Sequence, residues 1–270
     1  LKLRMSLKYL QRDGTFKRQR SKRSLAVFGK SIDKLLSTPN GWYIFLLLKS
    51  FENNLEFSSS SIDGIPRIIV TCIGMVERDG LKETGIYRVC CVTSDLQKLR
   101  HQFDRSYQSA EDMLAGKNVH VAANLLKLFF RELPEPLFTS TYYEDFLHAI
   151  QLTDIDNQRV TLLKIFESLN SNNRHILYYL LDHLIRVSQY SDVNMMHLDN
   201  LAVVFGPTLM RPSKLLITKN FSASNQRLNA TGTTSTSTDL DQMSNELQGS
   251  MYQCQVVLAC LKLRRDGLLK

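Results

Sequence analysis

The feature that most constrains the fold is the helical spacing of apolar residues that begins near Ile62 and continues almost to the C terminus. In its first stretch, Pro66 lies in the predicted first turn and Gly80 lies just past the predicted end. Proline at the start and glycine beyond the end are typical helix boundary signals. The pattern therefore predicts an amphipathic helix whose apolar positions lie three or four residues apart, at Ile65, Ile68, Ile69, Cys72, Ile73 and Val76.

Similar spacing predicts further helices. Thr93, Ser94 and Asp95 are expected to cap a helix that presents Leu96, Leu99 and Phe103 on one face. A last long helix from Asp239 is expected to close the bundle through Met243, Leu247, Met251, Cys254, Val257, Leu258 and Leu261. The remaining helices are predicted at about 120–131, 140–151, 156–168, 172–188 and 195–204. Because no comparable alternating strand pattern follows residue 62, the fold class is predicted to be all-α, a bundle of about eight to nine helices.

The N-terminal arm, residues 1–30, differs in charge from the rest of the chain. It holds ten Lys or Arg residues and one Asp, a net charge of +9, whereas the whole chain carries +8. Apolar residues alternate with polar ones around Leu3 to Leu7 and Leu25 to Val27, which favours a short irregular or β-like segment. The charge suits an anionic lipid surface, a nucleic acid or an acidic partner. We expect a membrane surface and no nucleic acid, because few aromatic side chains are available to stack on bases.

Two segments interrupt the helical pattern. Residues 31–61 form an insertion and linker that contains seven consecutive apolar residues, Trp42 to Leu48, too few to span a bilayer. That run is either an anchor for a membrane or partner or, as we expect, a strand or helix that packs locally. Residues 213–238 are rich in Ser, Thr, Asn and Gly, which predicts a flexible surface loop.

The five cysteines form no C-x-x-C pair, which argues against a zinc site and against a disulfide framework. We expect a reducing, cytoplasmic setting, with possible recruitment to the membrane surface. Adjacent Cys90 and Cys91 are read as small buried apolar residues rather than as a redox pair. The chain has the character of an internal fragment of a larger protein, and no cofactor or metal is expected.

Three motifs carry the functional signal. The first is Thr84-Gly85-Ile86-Tyr87-Arg88-Val89-Cys90-Cys91, a glycine-led turn with an arginine ahead of a helix. The second runs from Leu125 to Leu137 and holds Lys127 and Arg131, which share a helix face at a spacing of four residues. The third is Asn200-Leu201-Ala202-Val203-Val204-Phe205-Gly206-Pro207-Thr208-Leu209. By themselves, the two cations are typical of a solvated surface and Asn200 of an ordinary helix position.

Together the motifs resemble the GTPase-activating domain of Rho-family regulators. The family's order is Gly-x-x-Arg, then Leu-Lys-x-x-x-Arg-Glu-Leu-Pro-x-Pro-Leu, then Asn-Leu-Ala-x-x-Phe-Gly-Pro, and the details are most similar to the breakpoint cluster region group. The resemblance spans residues 62–263, which implies a helical domain there. It also implies that residues 1–30 are the remnant of a preceding β-sandwich domain.

The resemblance implies a function given in trans. Arg88 would enter the active site of a GTP-bound Rho-family GTPase, of the Rac type, as a catalytic arginine finger. Gly85, Lys127, Arg131 and Asn200 would support the finger loop and bind the GTPase. The chain would then be an activator rather than an enzyme, which agrees with the lack of a phosphate-binding loop, a His-Glu-x-x-His and a Gly-x-Ser-x-Gly.

One departure from the family pattern leaves an alternative open. The family usually has Ser-Gly where this chain has Cys90-Cys91. If the second position requires a positive φ, a cysteine there costs about 1 kcal/mol and alters the loop. The alternative function is a module that binds a GTPase, or acts as a scaffold, without stimulating hydrolysis.

Overall fold

Eleven helices and no strands make up the parts of the chain that the computed structural model describes, residues 26–37, 64–212 and 236–270, with the backbone alone described from 236 to 246. The all-α prediction is confirmed for these residues. The helices are α1 Ile32–Leu36, α2 Arg67–Asp79, α3 Thr93–Arg105, α4 Tyr107–Ala115, α5 Val119–Glu132, α6 Tyr143–Ile150, α7 Ile155–Ser168, α8 Ser171–Ser188, α9 Ser191–Asn194, α10 Leu198–Leu209 and α11 Thr236–Arg265.

The helix count exceeds the prediction because α1, α4 and α9 were not predicted. Each is short, so it shows too few apolar repeats to reveal a period of 3.6 residues. Ser106 separates α4 from α3 with an extended backbone, φ −154° and ψ 111°. The predicted caps of α3 are also wrong. Val92 precedes its first residue, no side chain caps it, and Asp95 instead accepts a hydrogen bond from Lys117 at 3.2 Å.

A single core joins the helices. α2 packs on α5, α5 packs on α3 and α10, and α11 packs on α10, α8 and α6. All six apolar positions predicted for the first helix are buried, although Pro66 stands just before its first residue rather than inside its first turn. This arrangement places the middle of α5 and Phe205 of α10 beside the segment between α2 and α3.

Helices α10 and α11 approach each other closely at Gly206. A Cβ atom at this position would lie 2.8 Å from the backbone nitrogen of Cys254, so the crossing excludes any larger residue. Helix α10 continues through Pro207 to Leu209, five residues beyond the predicted end. Because proline has no N–H, the carbonyl of Val203 lacks its helical donor, and the Cys254 thiol lies 3.9 Å from that oxygen.

The predicted apolar face of the last helix is wrong in part. Leu247 and Met251 are each 60% exposed, whereas Gln253 is buried and donates to the hydroxyl of Tyr143 at 2.9 Å. A buried glutamine with a partner costs little, so the polar residue lies on the inner face of the helix. The core residues of α11 are Val256, Val257, Cys260, Leu261 and Leu263. This helix begins at Thr236, so the last three residues of the predicted loop are helical.

The described part of the N-terminal arm packs on the helical domain. Asp104 of α3 accepts hydrogen bonds from the backbone N–H groups of Val27 and Phe28 at 2.6 and 3.1 Å. The ring of Phe28 is buried and meets Phe129 of α5 edge-on, with 6.0 Å between centroids. The guanidinium of Arg100 lies over the same ring, 5.5 Å from its centroid. These contacts form a clip, residues 26–30, that ties the arm to α3 and α5.

The predicted division into an arm (residues 1–30), an insertion and linker (31–61) and a helical domain (62–263) stays a prediction. The other interpretations of residues 1–25, 38–63 and 213–235 lie outside the described residues, including the predicted strands, the apolar run and most of the polar loop. No described helix combines the length and the apolar content needed to cross a bilayer.

Candidate functional site

The segment between α2 and α3 begins with a glycine that the backbone requires. Gly85 has φ +70°, and a Cβ atom there would lie 2.9 Å from the Cγ2 atom of Val89. Its N–H donates to the carbonyl of Asn194 at 2.7 Å, and its own carbonyl accepts from the N–H groups of Arg88 and Val89. The first end of the turn is therefore fixed to α9, and only glycine fits the position without strain.

Tyr87 is the buried anchor of this turn. It is fully buried and adopts φ 70°, a conformation that bulky residues seldom take. Its hydroxyl lies 2.6 Å from Nε2 of His183, and its ring meets Phe205 edge-on at 5.0 Å between centroids. Contacts from α8 and α10 thus hold the residue that directly precedes Arg88.

Lys127 is a buried cation that holds the same residue from the other side. It is 9% exposed, and its Nζ atom donates to the carbonyl of Tyr87 at 2.5 Å. Burial lowers the pKa of the Lys127 ammonium and the positive charge of Arg131 adds to this effect, whereas Cys90 and Cys91 act in the opposite direction. This environment is incompatible with the alternative of a solvated surface cation. The contact ties Lys127 to the loop, and a contact of this residue with a GTPase stays a prediction.

Asn124 binds the turn beyond Arg88. Its Nδ2 atom donates to the carbonyl of Val89 at 2.9 Å and to the carbonyl of His120, one turn earlier in α5, at 2.8 Å. We did not predict this residue, although an asparagine in an apolar helix and three residues before Lys127 is a signal that could have identified it. Asn124 and Lys127 therefore brace the turn from one face of α5.

Arg88 itself is exposed. Within the described ranges its guanidinium has no hydrogen-bond or ion-pair partner, whereas the residues before and after it are bound through Tyr87 and Val89. The backbone of the turn is thus fixed on both sides of an exposed side chain, whose guanidinium lies over Gly85. We refer to residues 84–91 as the Arg88 loop.

Arg131 lies at the C-terminal end of the same helix and is exposed. Its backbone carbonyl accepts a hydrogen bond from Nη1 of Arg211 at 2.8 Å, and Nη2 of Arg211 donates to the carbonyl of Leu133 at 2.7 Å. The last carbonyls of a helix have no partner within it, so the side chain of Arg211 fixes the end of α5. The structure therefore separates the two predicted cations, since Lys127 is buried against the loop and Arg131 faces solvent.

Among the described residues, the side chain of Asn200 makes no hydrogen bond to the Arg88 loop. Its Nδ2 atom donates to the carbonyl of Met195 at 3.0 Å, next to the asparagine that binds Gly85. That neighbour, Asn194, is fully buried and was not predicted. Its side chain donates to the carbonyls of Leu81 and Val187, both at 2.8 Å, and accepts from the N–H of Met196. Asn200 thus binds the turn at Asn194–Met195, and Asn194 of that turn binds Gly85 of the loop.

The two adjacent cysteines differ from the expectation. Cys90 is exposed and Cys91 is half-buried, so they are not a buried apolar pair. Neither has a positive φ, and in this loop that conformation belongs to Gly85 and Tyr87. The loop therefore accommodates Cys91 without the backbone strain that the sequence comparison suggested.

Residues 66–214 match the sequence profile of the RhoGAP domain. Breakpoint cluster region protein of Rattus norvegicus is 36% identical over 214 residues, which is 79% of this chain but 15% of that protein. Rho GTPase-activating protein 27 of Mus musculus is 39% identical over 148 residues, 55% of this chain and 17% of that protein. The chain thus spans less than a quarter of the length of the curated relatives it matches here.

Solved structures with a similar fold include human Rho GTPase activating protein 15, with a TM-score of 0.59 and 24% identity over 88% of this chain and 90% of that one. The BH domain from Graf, the GTPase regulator associated with focal adhesion kinase, has a TM-score of 0.57 and 25% identity. That match covers 75% of this chain and 93% of the Graf domain.

Proposed function

The chain belongs to the RhoGAP domain family, and we propose that it stimulates GTP hydrolysis by Rho-family small GTPases by supplying Arg88 to their active site. The partner is the GTP-bound form of the GTPase. The catalytic centre then lies in the complex, with the nucleotide on the GTPase and the arginine on this chain.

One observation carries the proposal: the Arg88 loop has a fixed backbone and a free guanidinium. Asn194 binds the loop at Gly85, Lys127 binds it at Tyr87 and Asn124 binds it at Val89. A group that acts in trans needs this combination, because a pre-positioned backbone reduces the entropy lost on docking. The side chain also has no described intramolecular partner to give up on entering the partner's active site.

The chemistry follows from the charge that develops during phosphoryl transfer. Negative charge moves toward the oxygen between the β- and γ-phosphates, and a slow GTPase has no cation of its own at that point. A planar guanidinium donates two parallel hydrogen bonds there, which an ammonium on a flexible stem cannot. An arginine finger typically accelerates hydrolysis about 10³- to 10⁵-fold, equal to about 4 to 7 kcal/mol of barrier.

We propose a Rac-type GTPase as the preferred partner. The support is the likeness of Gly85–Val89 and Phe205–Leu209 to the breakpoint cluster region group, together with 36% identity to a protein of that name. Arg131 is exposed at the end of the helix that braces the loop, which makes it available for a direct contact with the GTPase.

The test is a panel of Rho-family GTPases, each loaded with GTP and assayed for phosphate release with catalytic amounts of the chain. We expect multiple turnovers and the largest stimulation for the Rac-type member. Binding to the GTP-bound form without faster phosphate release by any member would favour the binding-module alternative. Stimulation led by a different member would refute the Rac preference and leave the activation intact.

The basic arm is proposed to attract the domain to anionic membrane surfaces. Each Lys or Arg near such a surface contributes about 1 kcal/mol of attraction, and residues 1–30 carry a net charge of +9. The clip at residues 26–30 would then hold the helical domain close to that surface.

A further inference from the structure

Behind the Arg88 loop, a hydrogen-bond network runs through the interior to Arg186, which is partly exposed. The Tyr87 hydroxyl lies 2.6 Å from Nε2 of His183, and Nδ1 of His183 lies 2.8 Å from Oε1 of Glu77. The same carboxylate oxygen accepts from Nε of Arg186 at 2.8 Å. Tyr87 and His183 are fully buried and the side chain of Glu77 is 19% exposed, so the loop, α8 and α2 meet through groups that are largely withdrawn from water.

The surroundings fix which group donates in each hydrogen bond of this network. Burial lowers the pKa of His183, an effect that Glu77 only partly offsets, so the imidazole is neutral near pH 7. Although burial alone would raise the pKa of Glu77, the hydrogen bonds from His183 and Arg186 hold it below its ordinary value. Since a carboxylate only accepts, Nδ1 of His183 carries the proton, and Nε2 is left to accept from the Tyr87 hydroxyl.

Tyr87 needs such a partner because its backbone is in the left-handed region, φ 70°. A bulky residue keeps this conformation only where its surroundings hold it. The imidazole of His183 binds the Tyr87 hydroxyl, and the ammonium of Lys127 binds the Tyr87 carbonyl. Arg88 follows directly, so the orientation of the Tyr87 peptide sets the direction in which the arginine leaves the loop.

We propose that the Tyr87–His183–Glu77 network positions Arg88. Tyr87 and His183 would then act on GTP hydrolysis through the arginine rather than by contacting the GTPase. The inference rests on the proposed function, because its measured outcome is stimulated hydrolysis. It adds residues whose role is to hold the loop in its active geometry before the partner docks.

The main variant is Tyr87→Phe, which removes one oxygen and retains the ring that packs on Phe205. With a GTP-loaded Rac-type GTPase as substrate, we expect kcat to fall about tenfold, equal to about 1.4 kcal/mol of barrier. KM should stay within about twofold, because the docking surface is unchanged. The matched control is Tyr142→Phe, just before α6, since Tyr142 is half-buried, lies outside this network and its hydroxyl bonds to no other described residue. This control should keep both constants.

A second comparison separates positioning from loss of folded protein. In an Arg88→Ala background, Tyr87→Phe should have no further effect on the stimulation that remains above the rate of the GTPase alone, because the residue acts through the arginine. A smaller folded fraction would instead lower the rate by the same factor in both backgrounds, and that result would overturn the proposal. An unchanged kcat for Tyr87→Phe, with Arg88→Ala inactive, would overturn it while leaving the proposed function standing.

Substitutions of the histidine provide a rescue test that does not depend on Tyr87→Phe remaining folded. His183→Leu removes the acceptor and should lower kcat about tenfold, whereas the amide oxygen of His183→Gln reaches toward the position of Nε2 and should restore most of the rate. Equal, wild-type rates for both would refute the positioning role. If Arg88→Ala itself kept the wild-type rate, the proposed function and the positioning role would fall together.

Discussion

Replacing Lys127 with methionine tests whether a buried cation braces the Arg88 loop. Methionine has a similar length and suits a helix, so Lys127→Met removes the ammonium with little change in packing. In the native protein the Nζ atom donates to the Tyr87 carbonyl, and both residues are buried. The substitution leaves that carbonyl without its donor in a place that water does not reach.

The expected magnitude is the balance of two effects. A hydrogen bond from a charged donor contributes about 1.5 to 3 kcal/mol to stability. In the native protein, burial disfavours the charged form of Lys127 and so lowers its pKa. The substitution removes this unfavourable burial of a charge. We expect a net loss of about 1 to 2 kcal/mol in the free energy of unfolding, or about 2 to 8 °C in Tm for a domain of this size. The loosened loop should also lower kcat.

The assay is denaturant unfolding followed by phosphate release, with Arg131→Met as the matched control. Arg131 lies four residues further along α5 and is exposed, so its substitution should change stability by less than about 0.5 kcal/mol. Its effect should appear in the affinity for the GTPase instead. If Lys127→Met were as stable and as active as Arg131→Met, the bracing role of the buried ammonium would be refuted.

Three further predictions concern other parts of the chain. Phe28→Ala should cost about 3 kcal/mol of stability, since the ring is buried between α3 and α5; a loss below about 0.5 kcal/mol in denaturant unfolding would contradict the clip. Because the folded pKa of His183 lies below its ordinary value of 6.5, its contribution to stability is present above that pH and is lost as pH falls through the lowered value. Unfolding measured against pH should therefore show a shallower acid loss in His183→Gln, and equal slopes would refute this origin. Deleting residues 1–25, which spares the clip, should leave hydrolysis in solution unchanged but reduce sedimentation with anionic vesicles at low salt, where the Debye length is about 10 Å at 0.1 M; equal sedimentation would reject the membrane role.

Long amphipathic helices were predictable because their apolar spacing repeats several times. Helices α5, α7 and α8 begin and end within one residue of their predicted bounds. The register of α11 was not predictable from polarity. Gln253 is buried because the Tyr143 hydroxyl lies within reach, while Leu247 remains exposed because no described element covers it. Whether a polar residue is buried or an apolar one is exposed on this helix therefore depends on neighbours that are distant in sequence.

The site divides in the same way. The positive φ of Gly85 and the exposure of Arg88 were predictable from one short motif, because a glycine-led turn leaves a local sequence signal, while the roles of both residues toward a GTPase stay predictions. The partner of Lys127 was not visible, since the accepting carbonyl lies forty residues earlier in the chain. His183 and Asn194 were missed because their roles exist only once α8 and α9 pack behind the loop.

The most direct test of the account is GTP hydrolysis by a GTP-loaded Rac-type GTPase, measured under single-turnover conditions with wild-type chain and with Arg88→Ala at equal, saturating concentrations. The account predicts that wild type accelerates phosphate release about 10³-fold or more and that Arg88→Ala loses nearly all of this acceleration while it still binds and unfolds like wild type. An Arg88→Ala chain that kept more than about half of the wild-type rate would contradict the account, because a finger contributes orders of magnitude rather than a factor of two.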